Sequence, residues 1–237
     1  MKLLVPAYFY PAGKSLDDWE RIFKGALRTP LTIIANPNSG PGETEDANYL
    51  AVIHRAASSQ IAIAGYVDTG YAKRPTAEVR ADIEKWIRFY PEIGGIFLDS
   101  QSPRAEHVDY YAALRTFVAE KISRGFVITN PGTTCAEEYF SRPATDVACV
   151  FASHEPFDNF RLPATWSGRY PSKNFAAIPY GIEGEAAMRG SIRQAASGHL
   201  GYIYVSDAKS PNPWDHLPRY WEAEVDAVRR VNQRQAP

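Results

Sequence analysis

Short apolar runs that end abruptly in a polar residue recur along this chain. The clearest one covers residues 94–98, Gly-Gly-Ile-Phe-Leu, and is followed directly by Asp99. An apolar run bounded by glycines is typical of a fully buried strand. Similar runs end at Asn36, Asp68, Asn130 and Asp207. Polar residues at the same end of strand after strand predict one functional face.

Segments with helical spacing of apolar residues alternate with these strands. Helices are predicted at residues 16–27, 48–58, 76–90, 106–123, 133–140, 183–197 and 214–231, and later strands at residues 147–151, 175–181 and 199–205. About eight strand–helix units of this length predict an α/β fold, a single (β/α)8 TIM barrel. No linker or change of composition divides the chain, so residues 1–237 are expected to form one domain. An open, doubly wound sheet is the alternative fold.

The composition excludes several classes of partner. Hydrophobic residues make up 45% of the chain and the formal net charge is −1, so we expect a large core and no binding of nucleic acid or an anionic membrane. No apolar stretch reaches the roughly 18 residues that span a bilayer. The chain as it stands is expected to be cytoplasmic, or secreted if a signal peptide was removed. Its oligomeric state is not indicated.

Metal, disulfide and nucleotide sites find little support. Histidine and cysteine occur without the spacing of a metal site, and Cys135 and Cys149 do not indicate a disulfide framework. We therefore predict no metal and no cofactor. The string Ala-Gly-Lys-Ser at residues 12–15 resembles the end of a phosphate-binding loop. However, Tyr8 stands where that loop needs glycine and Pro11 lacks a backbone donor, which favours a simple helix start.

Asp68 and Asp99 follow predicted neighbouring strands. Carboxylates at such positions act as an acid and a base, or as a nucleophile and a stabiliser. The alternative is that each side chain only caps a helix or orders a loop. Asn36 and Asn38 lie in a loop rich in turn-forming residues, and Asn130 begins a similar one; their amides could hold ligand hydroxyls or merely stiffen the loops.

Tyrosines accompany these polar residues in or just beyond the strands. Such rings often stack on the apolar face of a sugar, whereas others belong to the core. Tyr10 and Tyr71, beyond the strand ends, are better candidates than rings within strands. The predicted binding residues are Tyr8, Tyr10, Asn36, Asn38, Tyr71, Asn130, Tyr180 and Asp207.

Several strings together resemble the spherulin-4, or spherulation-specific, family. They include Val-Pro-Ala-Tyr-Phe-Tyr-Pro at residues 5–11, Asn-Pro-Asn-Ser-Gly-Pro-Gly at residues 36–42 and Gly-Tyr-Val-Asp-Thr-Gly-Tyr at residues 65–71. Gly-Ile-Phe-Leu-Asp at residues 95–99 and Asn-Pro-Gly at residues 130–132 follow in family order. The resemblance implies a TIM barrel related to endo-α-1,4-galactosaminidases. Members of that group hydrolyse α-1,4-linked galactosamine or N-acetylgalactosamine polymers of biofilms and cell walls.

Two acids that the resemblance leads us to expect are absent. The family usually has Asp-Glu after the fourth strand and Phe-Glu after the sixth, where this chain has Asp99-Ser100 and Phe151-Ala152. The resemblance makes Asp99 the nucleophile or stabiliser and Glu155, or else Asp68, the general acid. Two functions stay open: a glycoside hydrolase of an amino-sugar polysaccharide, and a carbohydrate-binding barrel that has lost its acid pair.

Overall fold

Eight parallel strands close into a barrel in chain order. The computed structural model describes residues 1–235, and in it each strand pairs with the next and the last with the first. The strands are β1 (Lys2–Ala7), β2 (Leu31–Ala35), β3 (Ala62–Asp68), β4 (Gly95–Asp99), β5 (Phe126–Thr129), β6 (Val147–Phe151), β7 (Phe175–Ala177) and β8 (Tyr202–Ile203). The predicted TIM barrel is thereby confirmed, and the open doubly wound sheet is excluded.

Helices connect most of these strands. They are α1 (Leu16–Ala26), α2 (Ala47–Ser58), α3 (Thr76–Phe89), α4 (Val108–Lys121), α5 (Glu138–Ser141), α6 (Glu185–Ser197) and α7 (Trp221–Gln235). The β6–β7 connection contains three short 3-10 turns and no α-helix. No helix in residues 1–235 combines the length and apolar character needed to cross a membrane.

The packing of α3 on β3 shows how the helical spacing builds the core. Val79, Ile83 and Trp86 lie three or four residues apart and are fully buried. The Trp86 ring lies against Gly65, where a Cβ atom would come within 2.4 Å of it. Its Nε1 donates to the Tyr66 carbonyl at 2.8 Å. Gly65 therefore allows a large indole to pack directly on the sheet, which locks the two elements together.

The later elements are shorter than the predictions. Strand β7 ends at Ala177 rather than residue 181, and Pro179, which has no N–H to donate, follows soon after. Strand β8 covers two residues rather than the predicted seven, 199–205. Helix α7 begins at Trp221, not at residue 214; Pro218 cannot lie inside a helix without breaking it, and its carbonyl accepts from the Trp221 N–H at 3.0 Å. Residues 214–220 therefore lie in the connection between β8 and α7 rather than in a helix.

Candidate functional site

Asp99 ends β4 at the carboxyl-terminal mouth of the barrel. Its Oδ2 accepts a hydrogen bond from the Tyr66 hydroxyl at 2.7 Å, and its Oδ1 accepts one from Asn130 Nδ2 at 2.8 Å. Tyr66 belongs to β3 and Asn130 follows β5, so the strands on both sides of β4 orient the carboxyl group. Because Asn130 Oδ1 also accepts from the Gly132 N–H, its amide cannot turn away freely.

Burial raises the pKa of Asp99. Hydrogen bonds from Tyr66, Asn130 and the Ser100 backbone N–H oppose this effect, and the charge of Asp68 adds to it. Burial, with the charge of Asp99, also raises the pKa of Tyr66 and of Tyr8, so both hydroxyls stay protonated at neutral pH. The result is a fixed carboxyl group that holds a proton more readily than a solvated aspartate and is surrounded by donors.

Asp68 lies beside Asp99 but does not line the same cleft. The two residues are opposite each other in the β3–β4 register. Asp68 Oδ1 accepts from the Gly70 N–H at 3.3 Å, and its backbone carbonyl accepts from Arg74 Nη1 at 2.6 Å. The neighbouring acid therefore acts on Asp99 through its charge, while its own contacts are with the β3–α3 loop.

The loops after β3 and β4 hold three residues in left-handed backbone conformations. Tyr71, Ala72 and Ser100 have φ values of 58°, 66° and 50° although none is glycine. The Tyr71 N–H donates to the Ser100 carbonyl at 2.7 Å, and the Thr69 hydroxyl lies 2.8 Å from the same oxygen. Strain of this kind persists only where surrounding contacts enforce it and is concentrated at functional sites.

A cleft of about 280 Å³ opens above Asp99. Its lining combines polar groups from the β4 and β5 ends with residues from the β3–α3, β6–β7, β7–α6 and β8–α7 connections: Tyr71, Asp99, Ser100, Asn130, Pro131, Gly132, Ala152, Tyr180, Ser210, Pro211, Pro213 and Trp214. Among these residues Asp99 is the one carboxylate. Ser100 and Ala152, which stand where the family resemblance predicts acids, both face this cleft.

Aromatic rings form one wall of the cleft. Trp214 packs edge-on against Tyr8 and Tyr180, with centroid distances of 5.7 and 5.9 Å, and Tyr8 packs against Tyr66 at 5.6 Å. The Trp214 Nε1 donor is buried and has no hydrogen-bond partner among the described residues. A wall of this composition suits a ligand with both apolar faces and hydroxyl groups.

The structure brings together some predicted site residues and separates others. Asp99, Asn130, Tyr71 and Tyr180 line the cleft, and Tyr8 supports its wall. Glu155 is exposed in the β6–β7 connection and is not part of the lining, so its predicted role as an acid stays a prediction that requires a loop rearrangement.

The residues at the β1 and β2 ends make contacts of their own. The Tyr10 hydroxyl donates to Asp46 Oδ2 at 2.9 Å, beside the first turn of α2. Asn36 Oδ1 accepts from the Gly40 N–H at 2.9 Å, and the Asn38 N–H donates to the Gly40 carbonyl at 3.3 Å. None of Tyr10, Asn36 and Asn38 lines the cleft, and their binding roles stay predictions.

Sequence reasoning missed Trp214 and undervalued Tyr66. Helical spacing over residues 214–231 places Trp214 in the last predicted helix, although Pro213 and Pro218 on either side are a signal against that assignment. From sequence alone, Tyr66 is a weaker candidate than the rings beyond the strands, because its position within a strand is also typical of a core residue. Within residues 1–235, no group of three or more His, Cys, Asp or Glu side chains is arranged to hold a metal ion.

Comparison with known proteins identifies the family of this sequence. The sequence matches the profile of spherulation-specific family 4 over residues 2–228. The chain belongs to this family. Spherulin-4 of Physarum polycephalum is 30% identical over 245 aligned residues, which cover 98% of this chain and 71% of the relative.

Solved structures of similar fold include enzymes that act on carbohydrates. Aspergillus clavatus Sph3, crystallised in complex with GalNAc, is 26% identical with a TM-score of 0.79, and the match covers 96% of this family member and 97% of Sph3. The chitinase RmChi1 of Rhizomucor miehei has a TM-score of 0.55 at 12% identity, covering 97% of this chain and 99% of the enzyme. At that identity the chitinase shows only a shared barrel fold.

Proposed function

We propose that the Asp99 cleft binds an α-1,4-linked galactosamine or N-acetylgalactosamine polysaccharide, and that this family member turns the polymer over slowly or not at all. The observation that carries the proposal is the single carboxylate of the cleft: Asp99, oriented by Tyr66 and Asn130 beneath an aromatic wall. The GalNAc complex of Sph3, which covers nearly the whole chain, supports the sugar class.

The cleft has the groups that recognition of a sugar needs. A carboxylate offers about four acceptor positions, so Asp99 retains capacity for ligand hydroxyl or amide donors after its two side-chain partners are satisfied. Trp214 and Tyr180, which line the cleft, offer apolar ring surface to a sugar. Recognition therefore does not depend on the two absent acids.

Hydrolysis has a stricter requirement. Glycosidases use two carboxyl groups, about 5–5.5 Å apart in retaining enzymes and about 6.5–9.5 Å apart in inverting ones. With Ser100 and Ala152 in the cleft, Asp99 has no second acid among its lining residues. A lost general acid lowers a rate by about 10²–10⁴-fold.

A second candidate function is a working hydrolase that uses Asp99 with Asp68. Their in-register positions on adjacent strands favour it, because paired strands lie about 4.8 Å apart, close to the spacing of a retaining pair. The raised pKa of Asp99 suits a proton donor. This function requires the Asp68 side chain to leave the Gly70 N–H and turn into the cleft.

The test combines binding and turnover on one polymer. Titration calorimetry with α-1,4-linked N-acetylgalactosamine oligosaccharides should detect binding, and Asp99→Asn should weaken it by about tenfold, as expected for loss of a charge-assisted hydrogen bond. Mass spectrometry of the digested polymer should show little product. Absence of binding to any amino-sugar oligosaccharide contradicts the proposal.

Restoring the absent acids separates the two functions. Ser100→Glu combined with Ala152→Glu should raise hydrolysis above the parental rate, and adding Asp99→Asn to that double variant should abolish the gain. If the parent already hydrolyses the polymer fast, and Asp68→Asn stops it, the second candidate is correct. Fast parental hydrolysis stopped by Glu155→Gln would instead assign the acid to the β6–β7 connection.

A further inference from the structure

The turn after β4 supplies a backbone donor to Asp99. Ser100 has a φ of 50°, and its N–H donates to the Asp99 carboxyl group, in addition to the side-chain donors Tyr66 and Asn130. A serine rarely adopts this left-handed conformation, because its Cβ atom crowds the backbone there. The backbone donor is therefore present only while other contacts hold the turn in place.

The carbonyl group of Ser100 connects the same turn to an exposed ring of the cleft. It accepts from the Tyr71 N–H at 2.7 Å, and Tyr71 is itself left-handed, with a φ of 58°. Tyr71 lines the cleft and is 54% exposed. Ser100 thus holds the carboxyl group of Asp99 through its N–H and the backbone of Tyr71 through its carbonyl. The relative position of these two ligand contacts depends on the Ser100 conformation.

Two buried hydroxyl groups contact this turn from the side opposite the cleft. The Thr69 hydroxyl lies 2.8 Å from the carbonyl oxygens of both Asp99 and Ser100. It also lies 2.8 Å from the hydroxyl of Tyr111, which belongs to α4. Tyr111 in turn accepts from the Ser102 N–H at 3.0 Å. Thr69 and Tyr111 are fully buried, so the two hydroxyls link β3, β4 and α4 inside the protein.

The single proton of each hydroxyl sets the direction of this chain. Burial raises the pKa of Tyr111, so its hydroxyl is protonated at neutral pH. Thr69 Oγ1, at 2.8 Å, is a better acceptor for that proton than the Ser100 carbonyl at 3.4 Å, because O–H···O bonds span about 2.5–3.0 Å. The Thr69 proton then goes to the carbonyl groups of Asp99 and Ser100. The chain runs from α4 to the turn that carries the ligand contacts.

We propose that Tyr111 and Thr69 are positioning residues of the cleft, whose hydroxyl chain keeps Ser100 left-handed and so fixes the Asp99 carboxyl group and the Tyr71 ring relative to each other for a bound sugar. The inference rests on the proposed function, because the sugar occupies the same cleft. Neither hydroxyl lines the cleft, so both act through residues that do. A site held to its geometry by buried neighbours loses less entropy when the ligand binds.

The first measurement needs no ligand. Tyr111→Phe and Thr69→Val each remove one hydroxyl and keep the approximate shape of the side chain, and a ¹³C NMR titration follows the carboxyl signal that Asp99→Asn lacks. The other titratable groups that act on or respond to Asp99 are left in place: Tyr8, Tyr66, Asp68 and Cys149.

Both variants should raise the pKa of Asp99 above its parental value. The Ser100 N–H favours the ionised carboxyl and lowers this pKa, so a turn that relaxes withdraws that effect. Thr69→Ser keeps the hydroxyl and should restore the parental pKa. If Tyr111→Phe fails to fold, the comparison of Thr69→Val with Thr69→Ser decides the question.

Tyr110→Phe is the matched control. Tyr110 precedes Tyr111 on α4, and the two rings pack with their centroids 4.9 Å apart. The Tyr110 hydroxyl donates to the Arg74 carbonyl at 2.8 Å and is not part of the chain. Its removal deletes one tyrosine hydroxyl from the same helix and should leave the pKa of Asp99 unchanged.

The second measurement is titration calorimetry with an α-1,4-linked N-acetylgalactosamine oligosaccharide. Tyr111→Phe should weaken binding by about three- to tenfold, the range expected for loss of one net hydrogen bond. Tyr71→Ala combined with Tyr111→Phe should weaken it by less than the product of the two separate losses, because part of the Tyr111 effect acts through the Tyr71 ring.

The outcomes separate this inference from the proposed function. A pKa of Asp99 that rises in both hydroxyl-free variants and returns in Thr69→Ser supports the positioning role, even where no variant binds the oligosaccharide and the proposed function fails. An unchanged pKa with only a lower urea midpoint overturns the inference, and Asp99-dependent binding then leaves the proposed function in place. An equal rise in Tyr110→Phe also overturns it. Losses that multiply fully with Tyr71→Ala overturn the link to the Tyr71 ring.

Discussion

Replacing Asp99 by asparagine should leave the protein at least as stable as the parent at neutral pH. The change keeps an acceptor for the Asn130 amide, and the new amide can donate to the Tyr66 oxygen. Removing the charge weakens each hydrogen bond from about 1.5–3 kcal/mol to about 0.5–1.5 kcal/mol, a loss of roughly 2–3 kcal/mol for the pair. Against this loss stands the burial of a carboxylate, which costs several kcal/mol.

The pKa of Asp99 decides which of the two terms is larger. It is raised, with burial as the main cause, so burial of the charge outweighs the hydrogen bonds. A carboxyl with a raised folded-state pKa contributes stability below its unfolded pKa and loses that contribution as pH rises through the folded value. Each pKa unit corresponds to about 1.4 kcal/mol. The stability of Asp99→Asn relative to the parent should therefore increase from acid to neutral pH.

Urea unfolding from about pH 4, near the unfolded pKa of aspartate, to neutral pH measures this difference. Asp99→Ala is the control: it leaves the Tyr66 hydroxyl and the Asn130 amide without an acceptor, at a cost of about 1–3 kcal/mol for each group that stays buried. An Asp99→Asn protein less stable than the parent by more than about 2 kcal/mol at neutral pH would refute the reasoning. The aspartate would then be a structural anchor rather than a group held for a ligand.

Two further predictions concern the core. Gly65→Ala should destabilise the protein by about 1–3 kcal/mol or more, because the new Cβ would lie 2.4 Å from the Trp86 ring. Gly168→Ala is the matched control, since no atom lies within 4 Å of its new Cβ. Equal urea midpoints for the two variants would contradict the packing argument. Burial raises the pKa of Cys135 to about 12 and that of Cys149 further, so iodoacetamide should label both thiols in urea and neither in the native protein. Native-state labelling at the rate of a free thiol would show that one of them is accessible.

Asp99 and Trp214 differ in how well the sequence alone predicts their positions. Asp99 follows a glycine-bounded apolar run, which predicts a buried strand that ends at this residue. Parallel strands that close into a barrel bring their carboxyl ends to one mouth, so the sequence predicts the position of Asp99 at that mouth. Trp214 lies in a connection whose apolar residues fit helical spacing by chance. Its position depends on the Tyr8 N–H donating to its carbonyl at 3.2 Å, a contact between residues far apart in sequence.

The same distinction holds for the acids at the barrel mouth. Alternation of strand and helix patterns by itself determined the barrel, the mouth and the place of Asp99 and Asn130, because burial of each strand is a local property of its residues. Only the tertiary structure decided that Asp207 lines a separate cavity, that Glu155 is exposed and that Asp68 turns to its own loop. Loops without periodicity take their course from long-range contacts, and a one-dimensional pattern does not contain those contacts.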